Sequence, residues 1–417
     1  MKSQNGMATL LITTMLLVVS LLFSLASYKN VFYQIKRTQN EVLARQAHWL
    51  AEGGLECGFA SINSTGGVNA ALIPLISECE TKTDSDININ ALGTKYVMSS
   101  LVLIDNKAKA SITKSFLLIS QSSGAFKSTS NVTFDVTGGN MDVYPDPNIK
   151  NGDGYDCVLA RFSGDVTVKG TLLNKGLDST YPPYSDFDFS GPPTAECNSK
   201  YKTVSVSNTS YSLTPASFKK DFIKSANLNP FKELFGYPKE QWKEVKKEFV
   251  SITQGESCSE AIASQIREGE QRIWINGSCD FKHNASKINT AMEAPGAAKS
   301  ALILIQDGVV GFNGAATSLN IIIYQFLTPK TAPDTAWKPS EIEWNTTTVA
   351  PHVTDKSKYV HYQYGALHTK GGFVFDMPGY DANINGSVNF SFNGDILKEV
   401  LTPFAKPRWI KGSWHDF

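Results

Sequence analysis

The sequence predicts an α+β protein in which one long N-terminal helix crosses a membrane and carries a large β-rich head. Three observations support this. Residues 7–28 form an apolar run without a single charge. Helical spacing then continues to residue 52 with no proline or glycine to interrupt it. Further on, short β-branched and aromatic runs alternate with Asn-Gly and Asp-Gly turns. The 417 residues suffice for two or three folded units, and 41% hydrophobic against 19% charged residues is a globular balance. The 39 basic and 39 acidic residues cancel, so the basic excess of a nucleic-acid binder is missing.

The apolar run reads MATLLITTMLLVVSLLFSLASY and comes after a short leader, MKSQNG. At about 1.5 Å per residue it is long enough for a bilayer core of roughly 30 Å. Three readings fit it: a cleaved signal peptide ending at Ser24-Leu25-Ala26, a plain uncleaved anchor, or a short leader followed by a retained helix. The residues downstream favour the third. Tyr28, Phe32, Ile35, Val42, Leu43, Leu50 and Ala51 recur at helical spacing with polar residues between them, which predicts a stem helix over residues 7–63. Gly53-Gly54 marks a place where that helix can bend.

These N-terminal residues resemble the type IV minor pilins, in particular the PilX-like group. The resemblance rests on the leader ending in Gly6, the segment Met7-Ala8-Thr9-Leu10-Leu11, and the stem LARQAHWLAEGGLE at 43–56. It extends weakly into the head through WINGSCDF, LILIQDGVVGFNG and the terminal GSWHDF. It implies cleavage by a prepilin peptidase between Gly6 and Met7 and N-methylation of Met7. It also implies an inner-membrane location with a periplasmic head, then entry into a pilus. The implied partners are prepilin peptidase, inner-membrane lipid, and other minor and major pilins. A surface, glycan or DNA is the class of ligand left for the head. One departure stands out: the fifth mature residue, usually glutamate in that family, is Leu11. A lone charge in lipid is costly, so the family's glutamate needs a partner amine. A subunit lacking it resembles tip-forming pseudopilins, which implies a place at or near the tip or in an initiating complex.

Six cysteines occur, none in a C-x-x-C pair, which leaves zinc ribbons and thioredoxin motifs unsupported. Neighbour pairing, Cys57–Cys79, Cys157–Cys197 and Cys258–Cys279, closes the shortest loops and is the expected set. An oxidising compartment is the consequence. The positive-inside count, Lys2 against Lys29, Lys36 and Arg37, points the other way; the cysteines and the large head outweigh it.

Residues 64–143 read as a pilin-like β region, with strands at 96–104, 110–120 and 131–138. Residues 144–270 read as disulfide-tied loops and a helical insertion over 214–268. The loop 144–157 carries Asp146, Asn148, Asn151, Asp153 and Asp156 without EF-hand spacing, so a turn cluster is the better reading than calcium. Residues 271–417 read as a β-rich C-terminal head, either hairpins in a sandwich-like domain or a β-solenoid. The terminal PRWIKGSWHDF is expected to dock back on the head.

Catalytic signatures do not emerge. No G-x-S-x-G elbow, P-loop or dinucleotide fingerprint is present, and the histidines, His352, His361 and His368 included, form no metal motif. The expectation is a non-enzymatic assembly protein without catalytic residues, metal or cofactor. The alternatives are a membrane-anchored or secreted periplasmic binding module and, third, an enzyme on a β-solenoid.

Overall fold

The structure is a computed structural model describing residues 5–65, 68, 72–92, 95–119, 124–152, 154–190, 195–206, 212–213, 217–253, 257–329, 337–404 and 406–416. It divides into two compact units: Met1–Leu118 with Lys406–Phe417, and Ile119–Ala405.

The first unit is built on helix α1, Asn5–Thr65, about 90 Å long at 1.5 Å per residue. Its upper half buries Ala47, Ala51, Leu55 and Ile62 against Met98, Val102, Ile112 and Phe116. Small residues on that face let the sheet approach closely. A Cβ added at Gly54 would lie 2.4 Å from Ser85 Oγ, and one at Gly58 would lie 3.2 Å from Met98 Sδ. Through Gly53-Gly54 the helix continues unbroken, and Gly54 lets the sheet approach closely.

Helix α2, Leu72–Thr83, packs beside α1 and leads into an antiparallel sheet of β1 (Ser85–Leu92), β2 (Lys95–Ile104) and β3 (Ala108–Ile119). Asp105 and Asn106 both have positive φ, 49° and 58°, the tight hairpin turn that short polar side chains tolerate. The polar stretch at 81–90 thus ends a helix and supplies an edge strand. Its inward-facing residues are the alternate Ser85, Ile87 and the partly buried Ile89, with polar residues between them, which hid it from a hydrophobicity reading. The chain's C-terminal strands, Lys406–Trp409 and His415–Asp416, complete the sheet beside β3. Trp409 stacks on Phe59 at 4.2 Å, and Lys114 Nζ sits 4.1 Å over Trp414 while pairing with Glu56.

The second unit is a stack of parallel strand–corner–strand coils. One sheet contains Arg272–Asn276, Ala301–Gln306, Ile321–Phe326, Gly372–Asp376, Phe126–Ser128 and Ala160–Phe162, each parallel to the next. The second contains Cys279–Asp280, Val310–Leu319, Tyr359–Thr369, Asp381–Asn385, Asn131–Tyr144 and Val166–Asn174, also all parallel. Spatial order departs from chain order. Residues 126–174 lay down two coils, and the chain restarts at the far end near Arg272. It then advances until Phe373 pairs with Phe126, so the last coil closes on the first.

Parallel pairing explains the unbroken apolar runs ALILIQ and IIIYQF. Both faces of that sheet are buried, because helices Pro230–Phe235, Cys258–Arg267, Ser286–Glu293 and Gly394–Val400 add residues to the same core. It also gives the Asn-Gly pairs another role than hairpin turns. Gly314 pairs with Gly365 across a corner, and a Cβ on Gly386 would meet the Gly365 carbonyl at 2.5 Å. The coil turns where neighbouring backbones leave no room for a side chain.

Three further expectations are corrected. Residues 131–138 belong to the parallel unit, not the small sheet, because Val132, Phe134 and Val136 fill its core. The loop at 144–157 contains a hairpin, Asp146–Asn151 with Gly154–Val158. Within the helical reading of 214–268, Phe222–Lys224 is a strand parallel to Ala160–Phe162, although Pro230–Phe235, Trp242–Lys246 and Cys258–Arg267 are helices as expected.

Candidate functional site

The lower half of α1 is the feature most in need of a partner. From Leu10 to Val42 its large apolar side chains are exposed, Leu11 at 55%. The most apolar stretch is uncovered along its whole length, and the helix is long and apolar enough to cross a membrane. Several of the hydroxyls within the run are satisfied locally. Thr13 and Thr14 hydroxyls donate to the carbonyls of Thr9, Leu10 and Leu11, and Ser20 donates to Leu17. Those three hydroxyls can enter hydrocarbon without an orphaned donor.

Above the apolar run the surface is mixed. Lys36 Nζ lies 4.7 Å over Phe32, and Glu41 pairs with Arg45 at 2.9 Å. Val31, Phe32, Tyr33, Ile35 and Val42 are nevertheless exposed. A groove of about 980 Å³ runs along residues 31–43 beneath Lys107. So much uncovered apolar surface on one helix marks a site of lipid or protein contact.

The sequence-predicted positions fall on this helix. Leader residues 1–4 lie outside the described residues, and only the backbone of Gly6 and Met7, at the helix start, is described. The cysteines pair as expected: Cys57–Cys79 joins α1 to α2, Cys157–Cys197 ties the hairpin to the excursion after it, and Cys258–Cys279 joins a helix to the second sheet.

The other candidate clusters resolve into structural groups. Asp146 accepts from the backbone N–H of Gly124 and Asn148, while Asp156 accepts from Asn151 and Asn198, which holds its carboxyl below the usual range. Asp146 and Asp156 are thus each held by amide donors, and Asp153 lies outside the described residues. The three clustered histidines also part company. His352 stacks on Tyr364, and His368 Nδ1 accepts from the Asn389 N–H. His361 is fully buried against Phe375 and Phe373; burial pushes it down to about 3, and neither ring nitrogen has a hydrogen-bond partner among the described residues. Among the described residues no group of three potential metal ligands occurs.

Sequence reading missed one buried ionic network. Lys127 Nζ lies 3.4 Å from Glu233, which Arg161 also contacts at 2.6 Å. Nearby, Asp376 accepts from Tyr324 at 2.9 Å and pairs with Lys239 at 2.6 Å. Burial lowers the Lys127 amine to about 8 despite the carboxylate beside it. The short strand FKS gave no signal for this, because only parallel pairing places Lys127 beside Arg161.

No family model, no curated protein and no solved structure matches the chain.

Proposed function

We propose that this protein is a PilX-like type IV minor pilin. In this reading the leader is removed after Gly6, Met7 becomes the methylated N-terminus, and the helix waits in the inner membrane with the head in the periplasm. The protein then joins a pilus or a pilus-initiating complex. The observation that carries the reading is the single continuous α1, packed on a small sheet above and uncovered and apolar below. A signal peptide would have no reason to continue, unbroken, into the core of the first folded unit. The three disulfides fit an oxidising compartment.

The role is structural, not catalytic. The lower helix packs among those of other pilins, and the head caps the assembly or presents a binding surface. Leu11 brings no carboxylate into that bundle, so this subunit does not need to pair with a terminal amine above it, which favours the tip or an initiating complex.

Intact mass and N-terminal sequencing of protein extracted from native membranes test the reading. The expected chain starts at methylated Met7, and a Gly6→Val variant keeps its leader. A chain starting at Ser27, or a wild-type chain still starting at Met1, refutes it and leaves an anchored or secreted binding module.

A further inference from the structure

We infer that the base of the stem binds anionic lipid headgroups in the membrane leaflet on the head side. Lys29, Phe32, Tyr33, Lys36 and Arg37 follow the spacing i, i+3, i+4, i+7 and i+8, which sets them on one face of α1. All five are exposed, Phe32 at 44% and Tyr33 at 60%. Cations thus interleave with aromatic rings. The first acidic residue along the chain is Glu41, and Arg45 takes it at 2.9 Å, so no carboxylate neutralises the band from below. Among the described residues neither Lys29 nor Arg37 forms an ion pair.

The position of this band singles out lipid. The apolar run over residues 7–28 is about 33 Å long against a hydrocarbon core of roughly 30 Å, so Lys29 emerges where the headgroups begin. Arg37 stands about 12 Å further along the axis. Helical side chains lean toward the N-terminus of their helix, which here is toward the membrane. Lys36 shows this lean: its Nζ lies 4.7 Å over the Phe32 ring, one turn nearer the bilayer. Tyr28, 70% exposed, stacks beside Phe32 with centroids 6.3 Å apart, and tyrosine rings settle at headgroup level. Charge balance is a second, independent reason. Lys29, Lys36 and Arg37 on the head side, against Lys2 on the leader side, oppose the orientation that places the head outside the cytoplasm. Anionic headgroups on the head side offset that cost. The inference rests on α1 crossing a membrane and not on assembly into a pilus.

The test equilibrates the full chain in neutral-detergent micelles holding equal amounts of phosphatidylglycerol and phosphatidylcholine. The chain is recaptured and its bound lipid quantified by mass spectrometry. Phosphatidylglycerol should be retained roughly tenfold over phosphatidylcholine, and the preference should shrink as salt rises from about 50 to about 500 mM. The triple variant Lys29→Gln, Lys36→Gln, Arg37→Gln should bring the ratio to about one. Lys29→Arg with Lys36→Arg should keep it, and Lys398→Gln, exposed on the larger unit, should leave it unchanged. Carbonate extraction of the wild type from pure phosphatidylcholine vesicles tests the membrane span separately, and the chain should stay with the lipid. Release by carbonate would refute the span and the inference with it. With the chain retained, equal binding of both lipids, a preference that survives in the triple variant, or displacement of the lipid by about 10 mM inorganic phosphate or by poly-glutamate would each overturn the headgroup assignment alone.

Discussion

Acidification should destabilise the larger unit through one residue, His361. The ring is fully buried, its pKa is pushed down to about 3 by burial alone, and neither nitrogen has a hydrogen-bond partner among the described residues. In the unfolded chain the same ring titrates near 6.5. Between those values the unfolded state holds a proton that the native state refuses. Stability is therefore lost as pH falls through 6.5 and stops falling only near 3. The slope approaches about 1.4 kcal/mol per pH unit below 6.5, which integrates to about 2.7 kcal/mol between pH 7.5 and pH 4.5. With an unfolding entropy of roughly 0.6 kcal/mol/K for a unit of this size, that is a drop of about 4–5 °C in Tm. His361→Leu keeps an apolar group beside Phe375 and removes the proton acceptor. Calorimetric unfolding of both proteins from pH 7.5 to 4.5 should show the wild type losing ground to the variant by that amount. Curves that fall in parallel would refute the reasoning, since the other titrating groups are common to both.

Two further outcomes rest on packing. Gly53→Ala and Gly54→Ala should have opposite signs in thermal unfolding. The first places its Cβ 3.6 Å from Thr83 and gains helix propensity of roughly 0.5–1 kcal/mol, whereas the second drives its Cβ into the Ser85 and Ser100 hydroxyls and loses about 1 kcal/mol net. Glu233→Gln should cost the larger unit about 3–5 kcal/mol in denaturant unfolding at pH 7, because Lys127 and Arg161 lose the carboxylate they share. Part of that loss should return as pH rises past the depressed Lys127 titration, where the neutral amine no longer needs a partner.

Much of the architecture could be read from residue order. The apolar run and the periodicity behind it specify a helix whatever surrounds it, because both are local properties of adjacent residues. The cysteine pairing was legible for a related reason: neighbours along the chain close the shortest loops. The α+β class came from the same local signals. Strand existence was mostly visible, as at 96–104 and 110–120, but strand partnership was not. Val132, Phe134 and Val136 alternate just as Met98, Ser100 and Val102 do, yet one set lies in the parallel coil and the other under α1.

The sequence by itself determined the anchor-like helix, the disulfide set and the β-rich character of the chain beyond that helix. Tertiary structure alone decided that the last coil of the larger unit closes on the first, and that the C-terminus completes the small sheet. It also placed Tyr364, Asn385, Asp135 and Lys169 side by side, although they come from four different strands, two of them at least 195 residues from the others. The physical reason is that helix periodicity and turn chemistry are short-range, while strand pairing is chosen by which buried faces fit together once the whole core has formed.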